Sequence, residues 1–184
     1  MRTAVFIYDN FVQFEVVLSC LFMKTKSEVV TVSLDGGAHR SNEGFPTLSD
    51  MKLSDLELGS VDLFLIPGGW EKFIGNKEEL HSALRELNDR GKVIAAICGA
   101  PLQLARAGLL KGKRYTCSVS EENPEAFEGA IFVEENVVVD GNIVTAQPNG
   151  YVDMALVLGK MFDIYEDEAD YLETVRVFRE FKRQ

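Results

Sequence analysis

One segment, residues 93–104, constrains the possible folds of this chain more than any other. It opens with the run Val93–Ile97, which is apolar throughout and lacks the polar alternation of a half-exposed strand. Such a run is typical of a strand that is buried on both faces in a parallel sheet. From Leu102 onward the apolar residues recur at helical spacing. This change of period predicts a sharp strand-to-helix turn at Cys98.

The position of Cys98 between small residues is the arrangement of a nucleophile elbow, in which a strand stops and a helix starts. A helix N-terminus offers unpaired N–H groups and the positive end of the dipole. We therefore expect the pKa of this thiol to fall below the ordinary value of about 8.5. Gly99 offers an uncrowded N–H, and Pro101 suits the first helical turn. A buried structural cysteine is the alternative.

Strand and helix patterns alternate along most of the chain. Strands are predicted at 2–8, 28–34, 61–66, 93–97, 113–117, 130–133, 137–139 and 143–146, and helices at 12–23, 77–90, 101–108, 151–162 and 166–181. The last two strands flank an Asp-Gly-Asn turn and predict an antiparallel hairpin. Residues 38–50 are expected to be irregular, with a short extended piece near His39. The pattern predicts one α/β domain over residues 1–184, a three-layer sandwich with a mostly parallel, flavodoxin-like sheet.

Two further features follow predicted strands at the carboxyl edge, where open α/β sheets bind ligands. Glu15 lies among apolar residues in the first turn of a helix. It either favours the dipole there or is a half-buried carboxyl whose pKa is raised. Gly68 and Gly69 end a strand and allow a close backbone approach, although such turns are common. Trp70 is expected to line or cover this crevice, with a packing role as the alternative.

Composition and motifs exclude several classes of function. The net charge of −10 argues against a nucleic-acid partner, and no apolar run approaches the ~20 residues that span a bilayer. The N-terminus lacks a signal-peptide cleavage pattern, so we expect a cytoplasmic protein. Three cysteines without CxxC spacing and two distant histidines predict neither disulfides nor a metal site. His39 is expected in an exposed loop and His81 on an outer helix face. No phosphate-binding glycine motif is present, and no cofactor is expected.

Several of these pieces, in their order, resemble the ThiJ/PfpI superfamily, relatives of the class I glutamine amidotransferase-like domains. They are Glu15 after the first strand, Ile66-Pro67-Gly68-Gly69, and the run from Ala95 to Pro101, which continues as LQLARAGLLKG. The resemblance implies a flavodoxin-like sandwich that forms a homodimer or a higher oligomer. It also implies that Cys98 is the nucleophile, that Glu15 hydrogen-bonds it, and that the Gly69 and Gly99 N–H groups form an oxyanion pocket.

The chain departs from the family pattern at one position. Members with a catalytic triad carry a His directly after the Cys or at the end of the following strand. Here those places hold Gly99 and Ser118. A peptidase or glutaminase needs a base that returns a proton to a poor leaving group. Attack by a thiolate on an aldehyde or an isonitrile has no amine to expel, so the missing His argues less against that chemistry.

Three functions are compatible with these residues. The first is an enzyme for small electrophiles, of the α-oxoaldehyde glyoxalase or deglycase type, with isonitrile hydration as the second substrate class. The second is a redox sensor or stress-protective, chaperone-like protein that acts through oxidation of Cys98. The third is a relative that has lost activity. Cys20 and Cys117 are interpreted as packing residues. A place close to the crevice would let Cys117 resolve an oxidised Cys98, but the spacing does not establish it.

Overall fold

The computed structural model describes residues 1–182, which form a mixed sheet flanked by helices. The strands are β1 (Arg2–Phe6), β2 (Glu28–Ser33), β3 (Ala38–Arg40), β4 (Pro46–Leu48), β5 (Met51–Lys52), β6 (Leu63–Ile66), β7 (Val93–Ile97), β8 (Arg114–Tyr115), β9 (Ile131–Phe132), β10 (Val137–Asp140) and β11 (Ile143–Ala146). The helices are α1 (Phe14–Met23), α2 (Glu71–Ile74), α3 (Glu78–Asp89), α4 (Pro101–Arg106), α5 (Tyr151–Met161) and α6 (Glu168–Phe178).

The central sheet has seven strands in the order β10-β11-β7-β6-β1-β2-β5. All neighbours are parallel except β10 and β11, which form the antiparallel hairpin at one edge. The central strands β6 and β7 are apolar along their length and buried almost throughout. The carboxyl ends of β6 and β7 lie side by side at one edge of the sheet, and β1 is the neighbour of β6 on its other side. The predicted α/β class and the mostly parallel sheet are confirmed.

Two groups of helices cover the sheet. Helix α1 packs against α5, and α3 packs against α4 and β7. Parallel strands need such crossovers, because a tight turn cannot join them. The apolar stripes of these helices face the sheet and form one continuous core with its strands.

Two segments differ from the sequence prediction. Residues 38–50 are more regular than predicted, because the extended piece expected near His39 is β3 and it pairs with β4 as an antiparallel hairpin. The strand predicted over 113–117 is only β8, which pairs with β9 in a separate two-stranded sheet. Short pairings of this kind lack the periodicity on which the prediction depends. His39 accordingly lies on β3 rather than in a loop, and its ring nitrogens contact Asp9 at 3.2 Å and Asp35 at 3.0 Å.

The prediction for His81 was wrong. Its side chain is 2% exposed rather than solvated, and its Nε2 lies 2.8 Å from Oε1 of Gln103 on α4. Helix α3 contacts both β7 and α4, so it buries a wider face than the Leu80, Leu84 and Leu87 stripe suggests. The sequence predicts helix α4 but not its packing against α3, and that packing buries the His81 side chain.

Several apolar side chains of α1 remain on the surface. Phe14 is 50% exposed and Leu21 is 56% exposed. The expected homodimer stays a prediction from the family resemblance. Among residues 1–182, the structure has no helix with the length and apolar character that crossing a membrane requires.

Candidate active site

Cys98 occupies a strained turn directly after β7. Its φ is +64°, in the left-handed region that side-chain-bearing residues rarely adopt. The surrounding backbone enforces this conformation. The Cys98 N–H donates to the carbonyl of Ala146 at 2.8 Å, and its carbonyl accepts from the Ser118 N–H at 3.0 Å. The buried Cys117 thiol donates to the same carbonyl at 3.4 Å. The turn therefore fixes the sulfur at the carboxyl edge of the sheet.

The side chain of Glu15 reaches the Cys98 turn from helix α1. It is the second residue of α1, and it is only 2% exposed. Its Oε2 accepts a hydrogen bond of 2.8 Å from the N–H of Gly68, which follows β6. Three neighbouring strand ends, those of β1, β6 and β7, thus bring Glu15, Gly68 and Cys98 together.

Gly68 is required at this meeting point by space alone. A Cβ at this position would lie 2.4 Å from Oε2 of Glu15 and 2.5 Å from Cβ of Cys98. The same point is 3.0 Å from the Cys98 sulfur. Any side chain at Gly68 would therefore separate the carboxyl from the thiol. The close backbone approach that the paired glycines allow thus occurs at Gly68, whose backbone contacts both Glu15 and Cys98.

Burial dominates the ionisation of both groups. It raises the pKa of Glu15 to about 7, against the lowering effects of the Gly68 N–H and the Cys98 side chain. The charge of Glu43 adds a smaller raising effect. Burial also raises the pKa of the Cys98 thiol to about 11, and the Glu15 charge raises it further, while the Ser118 hydroxyl and the Gly99 N–H oppose this. Of the two interpretations of Glu15 that the sequence allowed, the raised pKa agrees with the half-buried carboxyl rather than with a charge that favours the helix dipole.

The expectation that the pKa of Cys98 falls below its ordinary value was wrong. Helix α4 has only six residues, and the half-buried sulfur lies beside the buried carboxyl of Glu15. The two groups titrate as a coupled pair, in which the Glu15 carboxyl ionises near neutral pH and the raised pKa of the Cys98 thiol delays its ionisation to well above that. Between these limits, two bases share one proton. Transfer of that proton from sulfur to Glu15 creates a thiolate beside a carboxylic acid.

The Gly99 N–H interacts with the Cys98 sulfur, and Gly69 and Gly99 both border the neighbouring cleft. The Gly99 N–H lowers the pKa of Cys98, and no acceptor within residues 1–182 takes the Gly69 N–H. Both glycines line a cleft of about 210 Å³, together with Tyr8 and Gln103. The cleft is large enough for a small molecule and opens beside the Cys98 elbow.

The three predicted pocket residues, Gly68, Trp70 and Ser118, all lie outside this cleft, although Gly68 contacts Glu15. Trp70 is 62% exposed and does not line it. The preceding Gly69 has a φ of +153°, which side-chain-bearing residues rarely adopt. Ser118 is exposed as well, but its hydroxyl lies 3.5 Å from the Cys98 sulfur, to which it donates.

Sequence reasoning missed Tyr8 and Gln103. The buried Tyr8 hydroxyl donates to the carbonyl of Pro67 at 3.1 Å, and burial followed by the charges of Glu15 and Cys98 raises its pKa well above the ordinary range. Its place at the end of the first strand was a usable signal. Gln103 lies two residues after Pro101 in an apolar helix, and nothing in the sequence pairs it with His81. Within residues 1–182, no three His, Cys, Asp or Glu side chains are placed to hold a metal ion.

Removal of the Ser118 hydroxyl is expected to slow alkylation of Cys98. The hydroxyl stabilises negative charge on sulfur, so Ser118→Ala should reduce the iodoacetamide rate at pH 8 about three- to tenfold. Ser118→Thr keeps the hydroxyl and should react at nearly the wild-type rate. Ser120→Ala is the matched control, because the Ser120 hydroxyl donates to the Cys117 carbonyl instead. Equal rates for Ser118→Ala and Ser120→Ala would contradict the interaction.

Comparison with known proteins identifies the family. The model of the DJ-1/PfpI family matches residues 1–160. A protein named deglycase TK1284 from Thermococcus kodakarensis is 28% identical over 152 residues, which cover 82% of this chain and 92% of that protein. The uncharacterized protein MJ0967 of Methanocaldococcus jannaschii is 40% identical over 94 residues, 50% of this chain. That match spans 46% of MJ0967, less than half of its length.

Solved structures agree with this assignment. The DJ-1 superfamily protein Atu0886 from Agrobacterium tumefaciens superimposes with a TM-score of 0.87 at 25% identity, over 99% of this chain and all of that one. Drosophila melanogaster DJ-1beta gives a TM-score of 0.81 at 24% identity, over 95% of both chains, and so supports the fold. Because the family model matches most of the sequence and these structures share its fold, the chain belongs to the DJ-1/PfpI family.

Proposed function

We propose that the chain is an enzyme that uses Cys98 to convert small α-oxoaldehydes to α-hydroxy acids, a reaction of the glyoxalase or deglycase type. One observation carries the proposal. A buried carboxyl whose pKa is near 7 faces a thiol on a strained turn. A group that titrates near the working pH is suited to both accept and return a proton. Glu15 thus supplies the base that a His provides in family members with a triad.

The first step joins Cys98 to the substrate. Sulfur attacks the aldehyde carbon while the thiol proton passes to the Glu15 carboxylate. The carbonyl oxygen takes the negative charge and is held by the N–H groups of Gly69 and Gly99. Glu15 then returns its proton to that oxygen, and the product is a hemithioacetal. No group leaves in this step.

The later steps are redox-neutral within the substrate. Glu15 removes the proton from the former aldehyde carbon while the neighbouring ketone oxygen takes up a proton, which gives an enediol. Glu15 then returns a proton to the former ketone carbon while the hydroxyl on the sulfur-bearing carbon loses its proton, and the product is a thioester with a neighbouring hydroxyl group. Water then cleaves the thioester and releases the hydroxy acid and the Cys98 thiol. For methylglyoxal the sum is one water added and one lactate formed.

Turnover of methylglyoxal to lactate tests this proposal. We expect activity in the wild type and in a Cys20→Ser/Cys117→Ser variant, and complete loss once iodoacetamide has modified Cys98 in that variant. The rate should rise with pH through a midpoint near 7, where the pair loses its first proton. Lactate formation that survives modification of Cys98 would refute the mechanism. Conversion of an isonitrile to a formamide, with no lactate from methylglyoxal, would assign the second substrate class.

Oxidation sensing is the competing function, and the thiol's ionisation argues against it. Peroxide reacts with the thiolate, whereas the pKa of Cys98 is raised to about 11. We therefore expect slow oxidation by one equivalent of peroxide at pH 7. Intact mass separates the two functions, since rapid gain of two oxygens confined to Cys98 would favour the sensor.

A further inference from the structure

We infer that Glu43 is a positioning residue that holds the first turn of α1, and therefore Glu15, against Gly68 and Cys98. This inference rests on the proposed function of Glu15. Glu43 lies in the loop between β3 and β4, and it is separated from Glu15 by 28 residues of sequence. It touches neither the thiol nor the cleft, so its effect passes through α1.

Helix α1 lacks a cap from its own sequence. Gln13 stands at the N-cap with helical φ and ψ, and it makes no side-chain capping bond. Glu43 supplies the missing acceptors from outside. Its Oε2 accepts from the N–H of Gln13 at 3.1 Å, and its Oε1 accepts from the N–H of Phe14 at 3.0 Å. These two residues directly precede Glu15, so Glu43 fixes the backbone that carries the carboxyl.

The loop that leads into α1 is tied to the same hairpin by main-chain bonds. The Asn10 N–H donates to the carbonyl of Arg40 at 2.8 Å, and the Asn42 N–H donates to the carbonyl of Phe11 at 2.8 Å. On the other side, the Val12 N–H donates to the carbonyl of Gly68 at 2.8 Å. The entry to α1 is thus held between the hairpin and the Gly68 turn. Without Glu43, the start of α1 keeps only one attachment close to Glu15, the hydrogen bond from the Val12 N–H to the carbonyl of Gly68.

The charge of Glu43 also acts on Glu15. The ionisable groups that face Glu15 are Cys98, Tyr8 and Glu43. Burial of Glu43 is outweighed by its N–H donors, chiefly Phe14, which lower its pKa and keep it ionised at neutral pH. A negative charge at this place disfavours the Glu15 carboxylate and so helps to hold its titration near neutrality. Geometry and charge therefore have separable effects, one on rate and one on pH dependence.

Two substitutions separate these effects. Glu43→Gln keeps one acceptor oxygen but removes the charge, and it should leave kcat within about threefold while moving the pH midpoint about half a unit lower. Glu43→Ala removes both and should reduce kcat about tenfold or more with little change in KM, since capping bonds of this kind hold a helix start. Glu134→Gln, at an exposed acid far along the chain, is the matched control and should match the wild type in both measurements.

The pH dependence of Cys98 alkylation gives a readout that needs no turnover. A shifted midpoint in Glu43→Gln, with unchanged circular dichroism, supports the charge effect. A lower maximal alkylation rate in Glu43→Ala than in Glu43→Gln supports the positioning role, even if methylglyoxal is not a substrate. In that case the proposed function fails while the positioning role stands. If Glu43→Ala and Glu43→Gln both match Glu134→Gln in kcat and in alkylation midpoint, Glu43 does not position Glu15 and the inference is overturned.

Discussion

The Glu15→Gln variant is expected to lose turnover and to become more stable than the wild type at alkaline pH. Gln keeps the size of the side chain and an oxygen that accepts from the Gly68 N–H. It does not take up the Cys98 proton, so the thiol loses its base. Loss of a general acid–base group costs about 10²- to 10⁴-fold in rate. The rise of rate with pH near 7 should disappear with it.

The gain in stability follows from the raised pKa of Glu15. In the unfolded chain the carboxyl ionises above its ordinary pKa of 4.5, whereas in the folded protein it holds its proton up to about pH 7. Between these values the folded state binds more protons, so wild-type stability declines as pH rises and the penalty is complete above pH 7. A shift of this size corresponds to about 3 kcal/mol in free energy of unfolding, as an upper figure. Gln carries no such penalty.

Urea unfolding at two pH values measures this difference. At pH 4 both proteins carry a neutral side chain, and their free energies of unfolding should agree within about 1 kcal/mol. At pH 8.5 the variant should be more stable by about 2 to 3 kcal/mol. Glu134→Gln, at an exposed acid, should show no difference at either pH. A variant with wild-type kcat would show that Glu15 is not the base, and one without the alkaline gain in stability would show that folding does not raise the pKa of Glu15.

The fold was predictable because its determining signals are local. The apolar run of β7, the change of period at Cys98 and the Asp-Gly-Asn turn each lie within a few residues, and each was interpreted correctly. His81 and the β3–β4 hairpin depend on neighbours that are distant in sequence. Helix α4 buries His81, and the hairpin exists through short pairings with no apolar alternation to reveal it.

The candidate site divides in the same way. The positions of Cys98, Glu15 and Gly68 at one sheet edge follow from topology, because parallel strands bring their carboxyl ends together. The ionisation of the thiol does not follow from topology. A helix start alone favours a thiolate, but the sulfur also faces a buried carboxyl, and the raised pKa of Cys98 shows that burial and charge outweigh the helix. Only the distances across the sheet edge decide between these opposing effects.

The Gly68→Ala substitution is expected to have the second large effect, and it tests whether Glu15 and Cys98 meet across Gly68. The new Cβ would lie 2.4 Å from the Glu15 carboxylate oxygen and 2.5 Å from the Cys98 Cβ. The carboxyl can rotate away, but the Cys98 Cβ is fixed by a backbone that bonds to Ala146 and Ser118. Overpacking of this kind costs about 1 to 3 kcal/mol in free energy of unfolding.

The activity of Gly68→Ala should fall further than its stability. Any movement that relieves the contact separates the carboxyl from the sulfur, and a displacement of about 1 Å can cost 10²-fold in rate. Gly59→Ala is the matched control, because its Cβ meets only the end of the Arg90 side chain, at 3.4 Å, and should change stability by less than about 0.5 kcal/mol. Thermal unfolding and lactate formation, measured on both variants, check the prediction. If Gly68→Ala is as active and as stable as Gly59→Ala, the carboxyl and the thiol do not meet across Gly68, and proton transfer between them loses its structural basis.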